Sequence, residues 1–169
     1  MSYWSTSLLG GPKALTALAR IEDALDLPRA ELYPLDALSA QRRRQLAARL
    51  DADFQPIHRA VKACGKADET IALQVAGAVL VALGARIPAA FRFRAAAAVR
   101  KDPYRRTPER RLEMDALARR LTNHRPGVPN APGDDHLTVA MGRRWLKRNM
   151  PEPAQRGQTQ HPERAAASR

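Results

Sequence analysis

The chain is predicted to be all-α, and three observations carry that expectation. Ala, Leu and Arg dominate the composition, and all three are strong helix formers. β-Branched residues are sparse, and aromatic residues make up only 5%. Prolines and glycines punctuate stretches whose apolar residues recur every three or four positions. With 169 residues, 44% of them hydrophobic, the chain has material for one core. The expected architecture is a helical bundle domain of about five to six helices over residues 1–150. A disordered tail is expected over 151–169.

Gly10-Gly11-Pro12 reads as a turn, with Pro12 at the first position of a helix. Over residues 13–27, Leu15, Leu18, Ile21 and Leu25 mark one helical face, and Pro28 is the expected stop. A short segment over 29–33 is closed by Pro34. Ser39 is the expected cap of a helix running to about Phe54, with Leu46, Ala47, Leu50 and Phe54 inward. Arg42, Arg43 and Arg44 crowd its first turn, where the helix dipole disfavours cations by about 0.3–1 kcal/mol each. A solvated face accounts for them, and a held anion would ease them. Pro56 starts a short helix through Ala63, and Gly65 ends it.

Asp68 is expected to cap the helix over 69–83. That helix is apolar on nearly every side, which predicts a central position. Gly77 would let a neighbour approach closely, and Gly84 would stop the helix. Pro88 opens the next helix, with Phe91, Ala95, Ala98 and Val99 inward, and Lys101-Asp102-Pro103 stops it. Thr107-Pro108-Glu109 supplies a cap, a first-turn proline and a first-turn acid. The helix it starts runs to about Leu121, burying Met114, Leu117, Ala118 and Leu121. Residues 123–135 hold three prolines and two glycines. A loop of that length is expected to be functional or mobile. Asp134-Asp135 reads as the cap of a last helix over 136–149, which should bury Leu137, Ala140, Met141, Trp145 and Leu146.

Several function classes find no support. Cys64 is the one cysteine, so neither an internal disulfide nor a Cys-based zinc site is expected. It reads as a small residue near a helix end in a cytoplasmic protein. His58, His124, His136 and His161 show no metal-ligand spacing. No phosphate-cradling glycine loop or nucleophile elbow occurs, so no cofactor, no metal and no catalysis are expected. The longest apolar run, residues 71–83, is shorter than the roughly 20 residues a membrane span needs. No signal peptide is expected from the first residues.

The charge is lopsided. The whole chain carries a net +12, of which residues 86–125 hold +8 and residues 1–85 only +1. That asymmetry favours a polyanion, and nucleic acid is the commonest one in a cell. Arg binds phosphate oxygens through a planar fork of donors, and Lys101 is the one lysine in 86–125. The candidate contacts are Arg92, Arg94, Arg100, Lys101, Arg105, Arg106, Arg110 and Arg111, with a second cluster at Arg143, Arg144, Lys147 and Arg148. Tyr104 sits among them, either as a stacking surface for a base or as a half-buried loop tyrosine. Trp145 reads as core. Cations near a helix C-terminus are also favoured by the dipole, so the second cluster has a purely structural explanation as well. A helix-turn-helix over 69–101 would place Ala89 and Ala90 where base-reading side chains project, so backbone contact is expected instead. If one surface tracks a backbone, the two clusters should share a face.

Two segments resemble the small helical subunit of type I CRISPR effector (Cascade) complexes. One is Ala17-Leu18-Ala19-Arg20, then Ala24-Leu25, Pro28 and Glu31-Leu32-Tyr33-Pro34-Leu35. The other is Arg143-Arg144-Trp145 within a basic helix. Together they cover about a quarter of the chain. The resemblance implies a non-catalytic bundle that stacks along the guide-RNA backbone of an antiviral ribonucleoprotein and helps hold the opened DNA strands. Base pairing reads sequence in such complexes while protein surfaces hold backbone. Two alternatives stand beside it. One is a stand-alone DNA-binding accessory protein of a plasmid or phage, acting as a symmetric oligomer. The other is a protein–protein adaptor whose basic face meets an acidic partner.

Overall fold

A computed structural model describes residues 7–133 and 136–150. Among the described residues there are seven α-helices and no strand. They are α1 (Pro12–Ala24), α2 (Ala40–Ala52), α3 (Gln55–Ala63), α4 (Glu69–Leu83), α5 (Ala89–Arg100), α6 (Pro108–Thr122) and α7 (His136–Asn149). Single 3-10 turns lie at Leu35–Ala37 and Lys66–Asp68. The helix count exceeds the expected five to six. Even the short α3 is a full element, because Ile57, Ala60 and Val61 bury one of its faces. The expected tail over 151–169 lies outside the described residues.

α4 is the centre of the bundle. Every residue from Ile71 to Leu83 is buried, and α1, α2, α3, α5 and α6 all pack on this helix. Gly77 sets how closely they come: a Cβ there would stand 3.3 Å from both Ala95 Cβ and Leu121 Cδ2. Gln74 is polar within this apolar helix, and its Nε2 donates to the Ala98 carbonyl at 3.0 Å, tying α4 to α5. Gly84 ends the helix in the left-handed region at φ +71°, where glycine carries no Cβ penalty.

The caps agree with the sequence in two places and not in a third. Ser39 and Thr107 accept from the backbone N–H of Arg42 and Arg110, as expected for capping side chains. Asp68 occupies the cap position of α4 without capping it. Its carboxylate instead holds Lys13 at 2.6 Å, a link from α1 to the start of α4. That hydrogen bond raises the Lys13 pKa above its ordinary value.

α1 stops at Ala24, before the expected Leu27. The chain leaves the helix through Asp26 at φ +49°, so Pro28 is not what ends it. The turn that follows is organised from inside by Glu22, which is fully buried. Glu22 accepts from Leu32 N at 3.0 Å, Ala30 N at 3.1 Å and Arg29 Nη1 at 3.3 Å. Burial outweighs these donors and raises the Glu22 pKa. Arg29 also donates to Asp23 at 2.6 Å, to the Ala19 carbonyl at 2.7 Å and to the Met150 carbonyl at 2.9 Å. One side chain therefore joins the α1 turn to the end of α7.

α7 buries Leu146 as expected, but the rest of its inward stripe differs from the expected one where the residues are described. Ala140 and Met141 are exposed, and Trp145 is half-buried against the core. The inward positions are Thr138, Gly142 and Leu146. Tyr33 is the reason: its hydroxyl donates to the Thr138 carbonyl at 3.0 Å and its ring covers Gly142. A Cβ on Gly142 would lie 2.5 Å from Tyr33 Cε1. Leu137's side chain and the expected cap Asp134-Asp135 fall outside the description.

The Pro/Gly loop after α6 is held, not loose. Gly127 N donates to the Gly84 carbonyl at 2.7 Å and Asn130 N to the Val81 carbonyl at 2.9 Å. His124 Nε2 lies 2.7 Å from the Ala85 carbonyl. These contacts tie the loop to the C-terminal end of α4 and the residues just after it.

Candidate nucleic-acid interface

The turn between α5 and α6 gathers Arg100, Lys101, Arg105, Arg106, Arg110 and Arg111. Its shape is set by Asp102, whose side chain is fully buried. Asp102 Oδ1 accepts from Tyr104 N at 2.7 Å, and Oδ2 accepts from Arg110 Nη2 at 2.8 Å. Arg110 Nη1 reaches across to the Ser7 carbonyl at 2.8 Å. This corrects one candidate. Arg110 is 2% exposed, so it cannot meet a ligand; it is the internal brace of the turn. The sequence offered no local sign of this, because Ser7 is 103 residues away.

Above that brace lies an open cavity of about 670 Å³, lined by Asp102, Pro103, Arg105, Arg106 and Arg111. The acid in its wall is already engaged by Arg110. Arg105 is anchored by Asp115. Arg106 and Arg111 are exposed, as are Arg100 and Lys101 just before the turn. None of these four forms an ion pair among the described residues. The cavity therefore presents Arg106 and Arg111 with no lining carboxylate left to pair with them.

Tyr104 is half-buried and packs against the core, so it is not an open stacking surface. Among the described residues the exposed aromatic is Phe93, at 71%. Arg92 beside it is exposed and unpaired among the described residues, whereas Arg94 holds Glu69 at 2.5 Å. Arg94 also borders a cleft of about 330 Å³ with His58, Lys62 and Lys66. A third hollow, of about 300 Å³, involves Arg119 and Arg120 on α6.

The second basic cluster is mounted elsewhere. α5 and α6 pack on α4 and on each other, whereas α7 packs on α1. Arg143 is exposed but donates to the Tyr33 carbonyl at 3.3 and 3.2 Å. Arg144, Lys147 and Arg148 remain exposed. The packing thus mounts the candidates on two supports, α4 for the first cluster and α1 for the second.

Among the described residues, no group of three or more His, Cys, Asp or Glu is placed to hold a metal ion. Cys64 caps the end of α3 and donates to the Ala60 carbonyl at 3.4 Å. Burial pushes its thiol pKa up, away from a reactive thiolate. No helix of the described residues is long and apolar enough to cross a membrane. Compared with family models, curated proteins and solved structures, the chain matches none.

Proposed function

We propose that this protein binds the sugar–phosphate backbone of nucleic acid without catalysing a reaction, as a small helical subunit of a CRISPR-type ribonucleoprotein effector. The observation that carries the first part is the α5–α6 turn. Arg106 and Arg111 line a cavity whose own carboxylate is consumed internally, with Arg100 and Lys101 beside it. Unpaired guanidinium groups on a rigid support suit phosphate, which they grip through paired N–H donors. Alanines face outward at the start of α5, where base-reading polar groups would stand, so backbone contact is favoured over base readout. The place within a ribonucleoprotein rests on the two sequence segments quoted above.

The test has two arms. Changing Arg106 and Arg111 together to Ala should weaken nucleic-acid binding and lower the slope of log affinity against log salt by about 2. Unchanged affinity and slope would overturn the backbone-binding function. Isolation from the native host before and after RNase then separates the settings. RNA with large protein partners supports the effector subunit. Duplex DNA alone supports a stand-alone accessory protein, and a nuclease-insensitive acidic protein supports an adaptor.

A further inference from the structure

The outward face of α5 carries one tall apolar side chain on a flat ground. Residues three and four apart share a helical face. The four such neighbours of Phe93 are Ala89, Ala90, Ala96 and Ala97. Ala89 and Ala90 are exposed, and Ala96 and Ala97 half-exposed. No long side chain on its own helix shields the ring. It is an aromatic, and its 71% exposure is the highest among the large exposed hydrophobics described.

The charges around it complete the pattern. Arg92 and Arg94 flank Phe93 in sequence and lie to either side of its face, about 100° away on the helix. Arg100 lies on the same face two turns on, about 10.5 Å along the axis from seven residues of about 1.5 Å each. Lys101 and the basic cavity follow directly. An apolar helix partner would gain one ring and leave Arg92, Arg100 and Lys101 unmatched. A nucleic-acid strand with unpaired bases offers both a π-face and phosphates. A duplex keeps its base faces stacked inside.

The geometry points to Phe93 as a base-stacking platform, and hence to single-stranded nucleic acid as the ligand of this surface. The inference rests on the backbone-binding function proposed above and adds the strand state to it. The aromatic supplies the stacking contact, while Arg92, Arg100 and Lys101 hold the flanking phosphates. Single-strand binders combine these two elements without needing sequence readout.

The test uses the full chain and one mixed-sequence oligonucleotide, presented as single-stranded DNA, single-stranded RNA and duplex DNA. Phe93→Ala should lower single-strand affinity about tenfold, a typical loss for one base–aromatic stack. It should leave the salt slope and duplex affinity unchanged. Phe93→Trp should restore single-strand binding, and Phe93→Leu should not. Wild-type affinity in the Ala or Leu variant would overturn the platform. So would equal losses on single strand and duplex, or a changed oligomeric state in sedimentation of the Ala variant, which would give this face to a second copy. If binding depends on Arg106 and Arg111 but not on Phe93, the backbone function stands and the platform falls. If it depends on neither, both fall.

Discussion

The turn after α1 and the turn after α5 both use arginine, and they use it in opposite ways. In the first, the cations are matched with acids or carbonyls. Arg29 meets Glu22 and Asp23, Arg42 meets Glu31 at 2.5 Å, and Arg49 meets Asp26 and the Leu25 carbonyl. In the second, two acids engage Arg110 and Arg105, and the remaining cations face water. A near-neutral stretch of sequence thus becomes a paired surface. In the basic stretch Asp102 and Asp115 engage one arginine each, and cations outnumber acids. Net charge indicates that such a surface exists; pairing decides which residues form it.

The strongest way to break that comparison is to remove the internal brace. Arg110→Ala leaves the buried Asp102 carboxylate without its cation, which should cost about 3–5 kcal/mol in urea or thermal unfolding. A loss below about 1 kcal/mol would mean that Arg110 behaves like a surface arginine and that the turn is not braced from within.

A smaller effect is expected in the matched turn. Glu22→Gln exchanges an acceptor oxygen for an amide and leaves a buried donor of the Ala30–Leu32 turn unsatisfied. The expected cost is about 1–3 kcal/mol at pH 7. It should also depend on pH. Burial raises the folded-state pKa of Glu22 above 4.5, so the folded state binds more protons than the unfolded one as pH rises past that value. Glu22 therefore contributes most below pH 4.5, and its contribution falls as pH rises to the folded pKa. The stability gap between the two proteins should widen toward acid; a gap independent of pH would contradict the direction of the shift. The smallest effect concerns a pair at the solvent boundary. Arg94→Ala removes the contact to Glu69, both side chains being nearly half exposed, and should cost about 0.2–1 kcal/mol by chemical denaturation.

The sequence was most legible where a local rule decides the outcome. Pro12, Ser39, Gly84 and Thr107 mark helix ends because capping and backbone freedom depend on a few adjacent residues. The apolar run of α4 announced its central place because no polar face was available to put in water. The failures have long-range causes. Asp68 could not be assigned without knowing that Lys13 arrives beside it, nor Arg110 without the Ser7 carbonyl. The stripe of α7 was misjudged because its partner is a glycine. Periodicity scores apolar side chains, and here the packing surface is the space where Tyr33 lies on Gly142. Phe93 was visible as a residue but not as an exposed one. Its signal was the set of four alanines around it.

The buried Asp102 has one more consequence, electrical and directional. Its carboxylate and the Arg110 guanidinium form a dipole sealed beneath the turn, with neither end exposed to solvent. The pair carries no net charge, so counter-ions in solution meet Arg100, Lys101, Arg106 and Arg111 with neither Asp102 nor Arg110 among them. Salt screens the exposed charges far more than the hidden pair. Ionic strength should thus tune what this edge attracts while leaving the geometry that presents it intact.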